Sequence, residues 1–162
     1  MRRLTLLALL LSAVGGLAAE PLLTLISPDK TVVLSVDDFR ALPHTDLTAT
    51  DPHSKEPHKY TGVLVRDLLA KVDAPLGEKL RGKALQTAVI VRSKDGYGIL
   101  FALAEFDDAF SDRMLMLADG EDGQPLPANA APLRLIAPGD KRAARWARMV
   151  TALEVVRPGA TP

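Results

Sequence analysis

The apolar segments of this chain are short, and glycine or proline separates most of them. The 162 residues include 11 glycines and 12 prolines, so turn residues recur along the whole sequence. Short β-branched and apolar runs bounded by such residues are typical of strands. No internal repeat is visible. The pattern therefore predicts one domain of many short strands and few helices, rather than a helical bundle.

The strand and helix patterns alternate irregularly along the chain. Ser35 with Asp38 resembles a capping box, so a short helix should follow and end before Pro43. A second helix is expected at about residues 65–72, entered through residues 60–63. Residues 51–59 and 119–132 should be loops. Strands are expected at residues 21–26, 31–34, 46–50, 86–92, 97–103, 114–118, 133–137 and 150–156. This order favours an α+β domain built around a mixed sheet or partial barrel.

The first 19 residues have the pattern of a secretory signal peptide. A basic start at Arg2 and Arg3 precedes an apolar run that is shorter than a membrane span, and small residues follow. Thr5 stands where a twin-arginine signal carries a bulky apolar residue, which favours export in the unfolded state. We expect cleavage before Ala19 or Glu20, a periplasmic location, and no membrane span after signal removal.

The remaining chain has a balanced charge and no cysteine. Removal of Arg2 and Arg3 lowers the formal net charge from zero to −2, which gives no reason to expect nucleic acid as a partner. Without disulfides, an exported protein must be stabilised by packing. We expect the folded domain at residues 20–157, followed by a frayed tail at residues 158–162.

Four motifs in a fixed order resemble one known family. The sequence Tyr-Thr-Gly-Val-Leu-Val-Arg-Asp-Leu-Leu begins at Tyr60, and Gly-Gln-Pro-Leu-Pro begins at Gly123. Pro-Leu-Arg-Leu begins at Pro132, and Arg-Ala-Ala-Arg-Trp ends at Trp146. Together they resemble the sulfite-oxidase-type molybdopterin-binding domain over about residues 22–156. The resemblance implies the sulfite-oxidase-like fold and makes molybdopterin a possible cofactor.

The resemblance also suggests site residues. Lys141, Arg142 and Arg145 match the family's basic cofactor-contacting stretch, and guanidinium groups suit a phosphate. The alternative is a solvated connection that anchors Trp146 in the core. Tyr97 matches the tyrosine of the family's active-site Tyr-Gly pair and is the catalytic candidate. Its other interpretation is a half-buried strand aromatic with its hydroxyl at the surface.

The chain departs from the family after the third expected strand. There the enzymes carry a cysteine that binds molybdenum, whereas this chain has Thr50-Asp51-Pro52-His53. The Thr50 hydroxyl does not replace the soft thiolate, and Asp51 could bind a metal through oxygen only with different chemistry. Thr50, Asp51 and His53 should still line any retained pocket. The missing ligand favours a domain with neither metal nor cofactor bound.

Three histidines lie close together along the chain, at His44, His53 and His58. A metal site is one interpretation, but their spacing matches no zinc signature. A solvated loop is the other interpretation. We favour the solvated loop and expect no metal site.

Three functions remain open from the sequence. The first is a non-catalytic binding module for a small anionic ligand or a periplasmic protein partner. The second is a molybdopterin-dependent oxidoreductase that transfers oxygen atoms or electrons with a redox partner. The third is a structural subunit that docks to a membrane redox or signalling protein. A deep pocket joining residues 51–58, Tyr97 and residues 141–145 would favour the first two, whereas an exposed apolar patch would favour the third.

Overall fold

The computed structural model describes residues 20–157. The expected signal peptide at residues 1–19 and tail at residues 158–162 lie outside these described residues. The strands in chain order are β1 (Pro21–Ile26), β2 (Thr31–Ser35), β3 (Thr45–Thr50), β4 (Pro57–Leu64), β5 (Ala88–Ser93), β6 (Gly98–Ala102), β7 (Met116–Glu121), β8 (Gln124–Pro125), β9 (Arg134–Ile136) and β10 (Val150–Val156).

The strands form two sheets. The first has the order β2-β1-β10-β5-β6, and the second has the order β3-β4-β7-β8, with β9 also paired to β7. In the first sheet β1 and β10 are parallel, and its other pairs are antiparallel. The mixed-sheet α+β fold expected from the sequence is therefore confirmed, as two sheets rather than a closed barrel.

The helices are short. Helix α1 (Val36–Arg40) begins with the expected capping box, in which the Asp38 amide donates to Ser35 Oγ at 3.1 Å. The Ser35 amide donates in return to the Asp38 carboxylate at 2.9 Å. Helix α2 (Val65–Ala70) ends two residues earlier than expected. Single 3₁₀ turns occur at Gly77–Lys79, Gly82–Gln86, Leu103–Phe106 and Ala143–Arg145.

Two expected loops are partly strands. Residues 57–59, expected in a loop, and residues 60–63, expected to enter a helix, all belong to β4. Likewise residues 119–121 extend β7, which turns back into β8. Met114, expected in a buried strand, lies before β7 and is 41% exposed. Local patterns failed here because pairing across the second sheet, rather than sequence periodicity, sets the extent of β4 and β7.

Side chains from both sheets meet in one core. The first sheet contributes residues such as Leu25 and Val91, and the second contributes residues such as Val63 and Leu117. Trp146 is 2% exposed, and its indole Nε1 donates to the Ala137 carbonyl at 2.9 Å. This contact anchors the segment before β10 to the end of β9. Among residues 20–157, no helix is long and apolar enough to cross a membrane.

Candidate functional site

A buried ion pair lies where the chain departs from the family pattern. Asp51 follows β3 and Arg134 begins β9, so the pair joins residues 83 positions apart. Arg134 Nη2 donates to Asp51 Oδ2 at 2.6 Å. The two residues are only 4% and 6% exposed. Because both charges are removed from water, each depends on the other for compensation.

The Asp51 carboxylate also organises its own loop. Its Oδ1 accepts hydrogen bonds from the amides of His53 at 2.6 Å and Ser54 at 3.4 Å. Burial acts to raise the pKa of Asp51, but the hydrogen bonds from Arg134 and the His53 amide outweigh burial and hold that pKa below its ordinary value. The carboxylate is therefore ionised at neutral pH, and both of its oxygens are engaged by protein donors.

Aromatic rings enclose the Arg134 guanidinium. Its central carbon lies 5.7 Å from the Tyr60 ring centroid and 5.4 Å from that of Trp146. Glu121 Oε2 lies 3.8 Å from Nη1. Burial raises the pKa of Tyr60, so its phenol stays neutral. Arg134 Nε is buried with no hydrogen-bond partner within residues 20–157. This cluster fills the position beside Asp51 with protein atoms.

One histidine lies at the edge of this cluster. His58 Nδ1 is 2.7 Å from Asp122 Oδ2 and 3.5 Å from Glu121 Oε1. The hydrogen bond with Asp122 is the main cause that raises the pKa of His58. One ligand atom from each of these three residues lies within 4.8 Å of the others, which a divalent cation could bridge. The hydrogen bond between His58 and Asp122 satisfies the same atoms without an ion.

The other two histidines are not part of this group. His44 Nε2 lies 3.3 Å from the Asp119 carboxylate, and His53 is exposed on the loop after β3. The three histidines are close in sequence, but the fold directs each to different neighbours.

The basic stretch forms no enclosed cofactor site. Lys141 and Arg142 are exposed. Arg145 is neutralised by the protein, since its Nε donates to Asp140 at 2.9 Å and its Nη2 to Glu105 at 2.8 Å. Its guanidinium carbon also lies 3.8 Å from the Phe101 ring centroid. An anion at Arg145 would have to compete with two carboxylates.

The Tyr97 side chain contacts the backbone of the same stretch. Its hydroxyl donates to the Ala144 carbonyl at 2.9 Å, and the residue is 45% exposed. A small cavity of about 180 Å³ lies between Tyr97 and the segment around Trp146. Asp51 does not line this cavity, and neither do Lys141, Arg142 and Arg145. The fold therefore brings Tyr97 near the basic stretch without joining them to the Thr50–His53 loop.

A larger pocket, which we call the α1 pocket, lies elsewhere. Its volume is about 520 Å³. Thr50 and His53, both exposed, do not line it. Most of its lining is apolar, and the lining residues are Leu22, Val36, Phe39, Arg40, Thr61, Asp119, Gly120, Gly123, Gln124, Pro125, Leu126, Ala131, Pro132 and Leu133. Sequence reasoning missed this pocket, although three of the four motifs supply part of its wall: Thr61 comes from the first, residues 123–126 from the second, and Pro132 with Leu133 from the third.

The residues after β3 do not fit a thiolate-held metal. The chain contains no cysteine, and Thr50, which the motifs align with the family's metal ligand, is exposed. Asp51 is the buried side chain of the loop, and Arg134 and backbone amides occupy its oxygens. A metal at Asp51 would leave the buried Arg134 charge without its partner.

The fold and motifs define a domain of the sulfite-oxidase type, with one mixed sheet, one antiparallel sheet and few short helices. The family model described as the oxidoreductase molybdopterin binding domain matches residues 25–160, and the chain belongs to this family. The resemblance inferred from the four motifs is thereby confirmed.

Among solved structures, the chain is similar to the sulfane dehydrogenase SoxCD from Paracoccus pantotrophus. The TM-score is 0.63 at 20% sequence identity, which shows a shared fold. The match covers 82% of this chain and 37% of the SoxCD chain, so this chain spans well under half of the length of that chain. No curated protein matches the chain.

Proposed function

We propose that this chain is a non-catalytic binding module of the molybdopterin-binding family. The observation that carries this proposal is the buried pair of Asp51 and Arg134 beside the family's ligand position. The two charges of the pair compensate each other. We therefore interpret the pair as a structural element that holds β9 against the loop after β3. Tyr97 then has no reacting group to assist.

The α1 pocket is the proposed binding surface. Small-molecule sites are typically concave, mostly apolar and about 300–1,000 Å³ in volume, with a few polar groups that orient the ligand. The α1 pocket, at about 520 Å³, lies within this range. A small ligand or a periplasmic partner would bind there, with export directed by residues 1–19. Lys141 and Arg142 would remain solvated.

The test is the metal and pterin content of the protein purified from its native periplasm. Elemental mass spectrometry measures molybdenum, and fluorescence after oxidation measures pterin. We expect neither in stoichiometric amount. Near-stoichiometric molybdenum with pterin would overturn the proposal and support the alternative, an oxidoreductase of this family that works with a redox partner.

A Thr50→Cys variant provides the matched comparison. It restores a thiolate at the family's ligand position but keeps the pair of Asp51 and Arg134. We expect this variant to lack molybdenum as well, because the neighbouring space stays filled. Molybdenum in the variant alone would mean that the wild-type chain lacks only the thiolate ligand, and that the ion pair does not prevent the cofactor from binding.

A further inference from the structure

The walls of the α1 pocket are built from the core. Phe39 and Leu133 are fully buried beneath it, and Leu126 is 7% exposed. The hairpin of β7 and β8 forms one side and α1 forms another. These walls belong to elements fixed by hydrogen bonds and by packing on the core. The pocket is therefore suited to hold an apolar body without rearrangement of the backbone.

The polar and charged groups of the pocket differ in what they already contact. The Asp119 carboxylate lies 3.3 Å from His44 Nε2. The Thr61 hydroxyl donates to Asp46 at 2.7 Å. By contrast, within residues 20–157 the Arg40 guanidinium takes part in none of the ion pairs and hydrogen bonds. As far as residues 20–157 are concerned, Arg40 is thus the cation of this pocket without a protein partner, so it could take a ligand.

We propose that the α1 pocket binds an amphipathic carboxylate, with its apolar body against Leu22, Val36 and Leu126 and its acid group on Arg40. This inference rests on the proposed function, because it names the ligand class of the same surface. Guanidinium pairs with carboxylate through two parallel N–H···O hydrogen bonds. A neutral apolar ligand would leave Arg40 unused, and an inorganic anion would leave the apolar walls exposed to water.

The experiment compares decanoate with decanol, which share an alkyl chain and differ in the acid group. Binding to the purified full chain is measured by calorimetry. An Arg40→Gln variant should bind decanoate about 1.5- to 5-fold more weakly, as expected for one partly solvated charge pair, and decanol equally well. An Arg142→Gln variant is the matched control, since Arg142 is exposed and lies outside the pocket.

A variant at Asp119 should change decanoate binding in the opposite direction. The Asp119→Asn change removes a negative charge from the lining, so decanoate should bind more tightly while decanol is unaffected. Both variants alter residues outside the buried core, and circular dichroism checks that they fold.

Several outcomes would overturn the inference. They are no binding of decanoate, equal loss of decanoate and decanol in Arg40→Gln, or weaker decanoate binding in Arg142→Gln. Molybdenum content, measured on the same preparation, separates the two proposals. A metal-free protein that ignores decanoate contradicts only the ligand class. A molybdenum-loaded protein contradicts the non-catalytic function, whatever it does with decanoate.

Discussion

At the scale of single residues, the ion pair of Asp51 and Arg134 is the decisive feature. Taking two charges out of water is costly, and their mutual attraction in a buried setting offsets that cost only when both are present. Here two amides and two aromatic rings add further contacts. In this sequence, therefore, neither partner can be removed alone without leaving a buried charge. Whether apolar residues in place of both would be more stable is a separate question.

Substitution of one partner should be more damaging than substitution of both. Asp51→Asn leaves the Arg134 charge buried without compensation, so we expect the free energy of unfolding to fall by about 3 kcal/mol. The double variant Asp51→Leu with Arg134→Met should lose less free energy of unfolding than either Asp51→Leu or Arg134→Met alone. Urea unfolding measures all of these. Asp122→Asn, at an exposed carboxylate, is the control, and additive losses in the double variant would contradict the account.

The same carboxylate should make stability depend on pH in acid. The pKa of Asp51 is lowered in the folded protein, so its contribution is present above the ordinary Asp value of 3.8 and is lost as the pH falls through the folded value. We expect wild-type unfolding free energy to drop more steeply below about pH 4 than that of Asp51→Asn. Urea titrations from pH 6 to pH 3 test this, and parallel curves would refute it.

At the scale of elements, β4 explains why the Tyr60 motif contains glycine. A Cβ on Gly62 would lie 2.2 Å from the Leu117 carbonyl oxygen and 2.5 Å from the Ala118 Cα. The register of β4 and β7 shifts between Thr61 and Gly62, at this close approach. The glycine is therefore required by contact between two strands. The same pairing with β7 makes residues 60–63 part of a strand, although we expected them to enter a helix.

Gly62→Ala should accordingly destabilise the second sheet. The new methyl group meets rigid backbone, so we expect a loss of about 2–3 kcal/mol. Gly98→Ala is the matched control in β6, where a Cβ would meet nothing closer than 3.9 Å and the change should be nearly neutral. Thermal unfolding compares the two variants. Equal effects at both glycines would show that strand entropy, rather than the close approach, is responsible.

At the scale of the whole molecule, the two sheets share one core and should unfold together. Trp146 is the single tryptophan, lies 2% exposed, and contacts the end of β9 before the chain enters β10 of the other sheet. Its environment therefore depends on both sheets. The molecule has no disulfide to hold either sheet separately.

Tryptophan fluorescence and far-ultraviolet circular dichroism should report the same urea midpoint. The first follows the junction at Trp146, and the second follows the strands of both sheets. Coincident transitions are expected for a single cooperative unit of this size. Two separated transitions would mean that one sheet is stable alone, contrary to a shared core.

The sequence alone determined much of this protein. Strand positions such as Pro21–Ile26 and Val150–Val156, the capping box at Ser35, and the absence of a thiolate all depend on local pattern or composition. Four ordered motifs were sufficient for the family. These features can be predicted from the sequence because they depend on residues that are neighbours along the chain.

Only the tertiary structure decided what the site residues do. Arg134 was part of a motif, but nothing local indicated that it meets Asp51 across 83 positions. Arg145 looked available for a phosphate until Glu105 and Asp140 were found beside it. Arg40 belongs to none of the four motifs, and only the fold places it in the lining of the α1 pocket beside apolar residues. Pairing of charges and enclosure of space are long-range properties, and they are fixed only when the strands pack.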